Sequence, residues 1–237
     1  EEDRVCAAEA IGDLNYIGVG MKATTYDKKH YEKFKKTIAG STLRTIQGKK
    51  HPEGTGRYAE LKTYAEWSRQ GRLNPERFPR FMPTYTAANT AGEMKDTTLE
   101  ISELANHETS HHNKDVQKRY ALIRKYGSFA LAKEKEPSSK ELTETNKRNY
   151  ACLAADKPST TIMTIGDDFA HYGADRSLTV REMARLQSFD DSFVFQGKRT
   201  TGGDRRKFET PQYTQVGNAV PPLMAHAIAL EILKNIK

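Results

Sequence analysis

His107-Glu108-Thr109-Ser110-His111 has the spacing of a metal-hydrolase helix, two imidazoles on one face with a carboxylate beside the first. On a helix the rings would hold Zn²⁺ and Glu108 would act as general base. The flanks argue otherwise. Thr109, Ser110, His112 and Asn113 are all polar, so no apolar stripe embeds the motif. Asn113 reads as the cap of the helix that follows, and no third ligand stands at a convincing place. The sequence therefore predicts hydrogen-bonded or solvated histidines in a loop and no metal site. A zinc hydrolase through His107, Glu108 and His111 is kept as a remote alternative. The two cysteines, Cys6 and Cys152, are too few for a disulfide framework, and a reducing cytoplasm is the default expectation.

The other concentration of reactive groups is basic. The 237 residues carry a formal net charge of +7, with a pI of about 9.2. Lys22 to Lys36 is rich in lysine, and Gly197 to Lys207 holds five basic residues against one Asp. Clustered positive charge suits a phosphate backbone, and a solvated basic face is the alternative. Arg181 and Arg185 lie four residues apart on one predicted helix face. They can pair with carboxylates or reach an anionic ligand.

The elements that must position these groups are legible in part. "NKDVQKRYALIRKYG" predicts a helix capped by Asn113 and closed by Gly127. "YAELKTYAEWSRQG", ending at Gly71, predicts another. Lys133 to Lys147 is charged, poor in large apolar residues, and reads as a mobile loop with at most a helical turn. Ser159 to Ile165 is rich in β-branched residues and reads as a strand. Thr179 and Glu182 form a capping box at the head of a helix whose buried side is Val180, Met183, Ala184 and Leu186. Near the end, "QYTQVGNAVPPLMAHAIALEI" sets Gly217-Asn218 before two prolines and an apolar run. Gly217 permits a tight turn with positive φ, a proline can take the first helical position, and most of the last helix is expected to pack onto a core. No apolar run approaches the roughly 18 residues of a membrane span.

Together the last two segments resemble the DNA cytosine-5 methyltransferases. "RSLTVREMARLQSFDDSFVFQG" is similar to that family's ninth motif and "QYTQVGNAVPPLMAHAIA" to its tenth. One departure is Phe189-Asp190-Asp191, where the family usually has Phe-Pro-Asp. "AAEAIGDL" resembles the stretch after the eighth motif, and "ANHETSHHNKDVQKRY" a segment some members carry in between.

The resemblance implies a mixed α/β chain. Residues 1–22 would be the tail of a catalytic domain. Residues 23–211 would be a small β-rich target recognition domain, including the ninth motif at 176–197. Residues 212–237 would return to complete a Rossmann-like S-adenosylmethionine-dependent methyltransferase domain. Asn218, Ala219 and Val220 would line the S-adenosylmethionine site. Thr161, or its neighbour Thr160, would touch the target-strand backbone, and Lys198, Arg199, Arg205 and Arg206 would bind double-stranded DNA. No catalytic residue is expected in this chain, because neither cysteine follows a proline and the Glu-Asn-Val, Phe-x-Gly-x-Gly and Gln-x-Arg-x-Arg segments are missing. A partner or upstream chain would carry them, in the cytoplasm of a prokaryotic or phage-like host. A non-catalytic DNA-binding remnant is the rival expectation.

Overall fold

The computed structural model describes residues 6–31, 33–34, 104–144, 151–189, 191, 193–201, 203, 205 and 208–236. The helix predicted up to Gly71 and the basic residue Arg206 lie outside them. Among the described residues the chain is mixed α and β, with helices dominant and strands of two residues each.

Helix α1 (Ala7–Ile11) runs into a 3-10 turn at Gly12–Leu14. Strand β1 (Lys22–Ala23) pairs antiparallel with β2 (His107–Glu108), Lys22 opposite Glu108. Helix α2 (Lys114–Tyr126) begins and ends where the sequence predicts. The Asn113 side chain accepts the Val116 N–H, and Gly127 closes the helix in the left-handed conformation at φ 84°. Helix α3 (Phe129–Lys135) is capped by Ser128.

A 3-10 turn at Pro137–Ser139 and helix α4 (Lys140–Thr143) follow, where the sequence reads as a loop. This segment is more tied down than its composition suggests. Ser139 and Thr143 are buried. The Thr143 hydroxyl is within bonding distance of the Ser139 and Lys140 carbonyls, and Glu136 accepts from Lys125 and Tyr126.

Strand β3 (Ala151–Cys152) lies parallel to β4 (Phe169–Ala170). The predicted strand Ser159–Ile165 forms no ladder among the described residues. Its Ile162 is buried while Thr161 and Met163 point outward, so the alternation expected of a half-buried strand is kept without the pairing.

The last three helices are α5 (Val180–Leu186), α6 (Gln212–Asn218) and α7 (Pro222–Asn235). Residues from α1, β4, α5 and α6, with Leu153, Ile162, Leu178 and Phe195, make one hydrophobic core. Helix α5 runs through its centre. The capping box is present in full: the Thr179 hydroxyl takes the Glu182 N–H, and the Glu182 carboxylate takes the Thr179 N–H.

Core position and charge coincide on α5, because Arg181, Glu182 and Arg185 are buried along with its apolar residues. Arg176 grips Glu182 through two bonds of 2.8 Å. Arg185 reaches Asp13 beyond α1 and both oxygens of Asp191, which also accepts from the Tyr26 hydroxyl. Arg181 donates to the carbonyls of Ala105 and Phe193. Of the two roles open to Arg181 and Arg185, the structure realises the internal one.

The last helix departs from expectation. Among the described residues α7 does not pack onto a core: Met224, Ile228, Leu230, Ile232 and Leu233 are each about half exposed. Among the described residues no single helix is long and apolar enough to cross a membrane.

Candidate functional site

The corner between α6 and α7 is built from two directions. From the sequence side, Gly217 and Asn218 belong to α6, and the chain leaves the helix at Ala219 in extended conformation. Pro222 opens α7 without needing an amide partner.

Gly217 does not have positive φ, so the reason for glycine is not the one expected. A Cβ there would lie 2.6 Å from the Met163 carbonyl oxygen and 2.8 Å from the Thr164 Cα. Close approach of two main chains, rather than an unusual turn, requires the missing side chain.

From the packing side, the end of α5 holds the corner. Gln187, buried, donates to the Val216 carbonyl. Ser188 accepts the Leu223 N–H on its hydroxyl, satisfying one of the orphan donors in the first turn of α7. Ser188 does so from a left-handed backbone, φ 61°, a conformation a residue with a Cβ adopts at a cost. Neither residue stands out in the sequence, since a cap supplied from 35 positions away leaves no local signature. The ninth-motif helix and the tenth-motif corner are thus stapled together.

Between them opens a cleft of about 590 Å³. One side presents Ser159, Thr160 and Thr161, and the other presents Gly217, Ala219 and Pro221. Thr160 and Thr161 are both exposed, as are Asn218 and Val220. Of the expected residues, Thr160, Thr161 and Ala219 line this cleft, whereas Asn218 and Val220 do not.

The basic segment is separate from that cleft and is partly neutralised internally. Lys198 pairs with Glu209 at 2.8 Å, a surface ion pair weak enough to yield to a phosphate. Arg199 donates to Ser110 and pairs with Glu108 at 3.4 Å, mostly shielded from solvent. Arg205 is exposed. Gln212 and Gln215 of α6 tie the strip down by donating to the carbonyls of Gly197, Gln196 and Thr210.

The histidine motif does another job. His107 and Glu108 form a strand, not a helix turn. His107 is buried with both ring nitrogens engaged: Nε2 donates to the Leu14 carbonyl, which fixes Nδ1 as acceptor of the Thr179 hydroxyl. Burial pushes its pKa down to about 4. Asn106, at φ 61°, closes a two-bond ring with the Phe195 backbone. The segment is a clamp on the head of α5, and no group of three or more metal-ligating side chains converges among the described residues. In this geometry both His107 ring nitrogens are already engaged, which leaves neither for a zinc ion.

The thiols are also poorly placed for attack. Cys6 is buried, and burial raises the Cys152 thiol above its usual range, leaving less of the thiolate a nucleophile needs.

Residues 14–234 match the family model described as C-5 cytosine-specific DNA methylase. The chain belongs to that family.

Curated relatives divide by length. Type II methyltransferase M1.HphI of Haemophilus parahaemolyticus is 36% identical over 157 residues, 64% of this chain but 38% of the relative. Type II methyltransferase M.DdeI of Desulfomicrobium norvegicum is 35% identical over 135 residues, 54% of this chain and 32% of the relative. The chain thus spans about a third of their length. Type II methyltransferase M.AquIB of a Picosynechococcus species is 34% identical over 135 residues, 56% of this chain and 90% of the relative.

Proposed function

We propose that this chain is the DNA-recognition and cofactor-domain-completing portion of a DNA cytosine-5 methyltransferase. The complete enzyme would transfer a methyl group to C5 of a cytosine flipped out of duplex DNA. In this reading residues 1–22 are the tail of the catalytic domain, residues 23–211 the recognition domain with the ninth motif at 176–197, and residues 212–237 the return to a Rossmann-like cofactor domain. The catalytic portion lies on a partner or on upstream sequence.

The observation that carries this reading is α7. A largely aliphatic helix belongs against a core, and here about half of Met224, Ile228, Leu230, Ile232 and Leu233 faces solvent. The corner before it is nevertheless held in order by Gln187 and Ser188, which favours a partner that completes it over a degenerate remnant. The match fills 90% of M.AquIB, so a family relative consists almost wholly of the region it shares with this chain, which supports a separate partner carrying the rest.

S-adenosylmethionine supplies an electrophilic methyl group. The residues present fit one wall of its site: the exposed Asn218 amide offers donors and an acceptor, and the Ala219 backbone is extended beside it. The Thr161 hydroxyl is free to donate to a phosphate oxygen, and Arg205 adds positive charge. Thr161, Lys198, Arg199, Arg205 and Arg206 are the proposed DNA contacts. Lys198 would first release Glu209, and Arg199 would first release Glu108.

The test is reconstitution. Purified alone, the chain should transfer no labelled methyl group to DNA. Mixed with a polypeptide carrying the upstream methylase motifs, it should. Transfer by the chain alone, or none by the mixture, overturns the reading.

A further inference from the structure

We infer that Gly217 is a positioning residue that sets the separation between the segment carrying Thr161 and the corner at 218–220. The DNA-backbone contact and the cofactor wall would then shift together. The inference rests on the roles proposed above for Thr161 and the corner; the steric contact itself does not.

The contact is between main chains. A Cβ at residue 217 would sit 2.6 Å from the Met163 carbonyl oxygen, 2.7 Å from its carbon and 2.8 Å from the Thr164 Cα. No rotamer change relieves a clash with backbone. The same face of α6 touches the same segment at two further points. The Thr214 hydroxyl lies 3.4 Å from the Thr164 carbonyl, and the Tyr213 ring packs directly on Gly166.

Behind this face α6 is fixed. Val216 is fully buried, the Tyr213 hydroxyl donates to the Leu178 carbonyl at 2.7 Å, and Gln187 holds the Val216 carbonyl. In front, Thr160 and Thr161 are exposed on a segment with no ladder among the described residues, and the corner leads into the exposed α7. A side chain at 217 therefore meets a rigid anchor on one side and softer structure on the other. Whichever soft part yields, the distance across the cleft changes.

Gly217→Ala tests this with nitroxide labels at Thr161→Cys and Ala219→Cys, in a chain whose partly exposed native thiol is removed by Cys152→Ser and whose other thiol, Cys6, is buried. Dipolar broadening of the electron paramagnetic resonance spectrum should show a longer or broader separation than in the labelled chain with Gly217. Thr214→Val removes only a hydroxyl and adds no bulk. It serves if Gly217→Ala fails to fold, and should broaden the same distribution. An unchanged separation in a folded Gly217→Ala chain, or in Thr214→Val where that is the variant that folds, overturns the inference.

Duplex-DNA affinity of the unlabelled chain tests the consequence. Gly217→Ala should weaken binding by about threefold or more, and should cost little further once Thr161 is Ala, because coupled positions are not additive. Additive losses would mean that Gly217 does not act through Thr161, and overturn the coupling. A shifted separation with unchanged affinity would leave the positioning role standing and remove Thr161 from the DNA contacts.

Discussion

Helices α5 and α7 invert the usual relation between composition and burial. Helix α5 carries three charged residues in seven and is buried from Val180 to Arg185. Helix α7 is largely aliphatic and its side chains face solvent along its length. On α5 the buried charges are matched: Glu182 by Arg176, and Arg185 by Asp13 and Asp191. On α7 the apolar surface has no counterpart among the described residues. A buried charge is tolerated where its partner is built in, whereas the exposed apolar helix is the surface on which the proposal above seats a partner. The chain thus has one finished interior and one unfinished surface.

Breaking the finished side should have the largest effect on folding stability. Glu182→Ala leaves Arg176 buried without its carboxylate and removes half of the capping box. Loss of one member of a buried ion pair costs about 3–5 kcal/mol. Urea denaturation should show a loss of that order. Replacing both partners with apolar residues should cost less, since no charge is then stranded. A small loss in the single variant would mean that water already reaches the pair.

Acid attacks the same interior. Burial holds His107 at a pKa of about 4 and His171 at about 3, the Arg176 guanidinium adding to both depressions against Glu182. In the unfolded chain both imidazoles titrate near 6.5. Between pH 6.5 and 4 the unfolded state binds more protons, so stability falls as the pH falls through that range. Asp191 acts lower down. Its pKa is depressed to about 2, with Arg185 outweighing the opposing effect of burial. Its contribution is present above the ordinary carboxylate range and is lost as pH falls toward 2. Thermal melts from pH 7 to pH 4 should decline steadily, and His107→Gln should flatten part of that slope. A flat profile in the wild-type chain would show these histidines to be hydrated.

What was legible in the sequence follows the range of the interactions. The caps at Asn113 and Gly127 and the capping box at Thr179–Glu182 are local, and each appears where residue type and spacing put it. The role of Arg181 and Arg185 was open, because the Ala105 carbonyl that Arg181 meets and the Asp13 that Arg185 meets lie far away in the sequence. The zinc-like spacing was misleading for the same reason: Leu14 and Thr179 claim the His107 ring, and neither is near it in sequence. Gly217 was marked correctly and explained wrongly. Glycine records only that a Cβ is absent, and the Met163 carbonyl that forbids one is 54 positions away. Lys133 to Lys147 reads as a mobile loop with at most a helical turn; the turns at 137–143 are there, but their anchoring was not legible, because Glu136 is held by Lys125 and Tyr126 and Thr143 by main-chain carbonyls rather than by apolar surface.

A smaller effect separates the two helices at their junction. Ser188→Ala removes the hydroxyl that caps the Leu223 N–H and keeps the left-handed strain. Ser188→Gly removes the same bond and relieves the strain. The lost bond is worth about 0.5–1.5 kcal/mol net, and the Gly variant should recover about 1 kcal/mol relative to Ala, the usual cost of the left-handed conformation. Amide exchange at Leu223 should quicken in both. If Ala and Gly prove equally stable, the strain at Ser188 is not real.

The smallest effect on the chain itself should come from α7, and this is the sharpest test of the contrast with α5. Ile228→Asp and Ile232→Asp place charges on side chains that are about half exposed already. Surface changes of this kind usually move stability by no more than about 0.5 kcal/mol. The same pair in a core would cost several times more, because each carboxylate would lose its water without gaining a partner. Urea midpoints of the isolated chain should therefore stay close to wild type. Association with the polypeptide carrying the upstream methylase motifs should collapse, read by co-purification and by loss of methyl transfer. Duplex-DNA binding by the chain alone should persist, since Thr161 and Arg205 lie on other elements. A strong loss of stability in the isolated chain would mean that α7 folds back onto this chain in solution. Unimpaired association would place the partner contact elsewhere, and flotation of the wild-type chain with lipid vesicles would show that the helix meets a membrane instead.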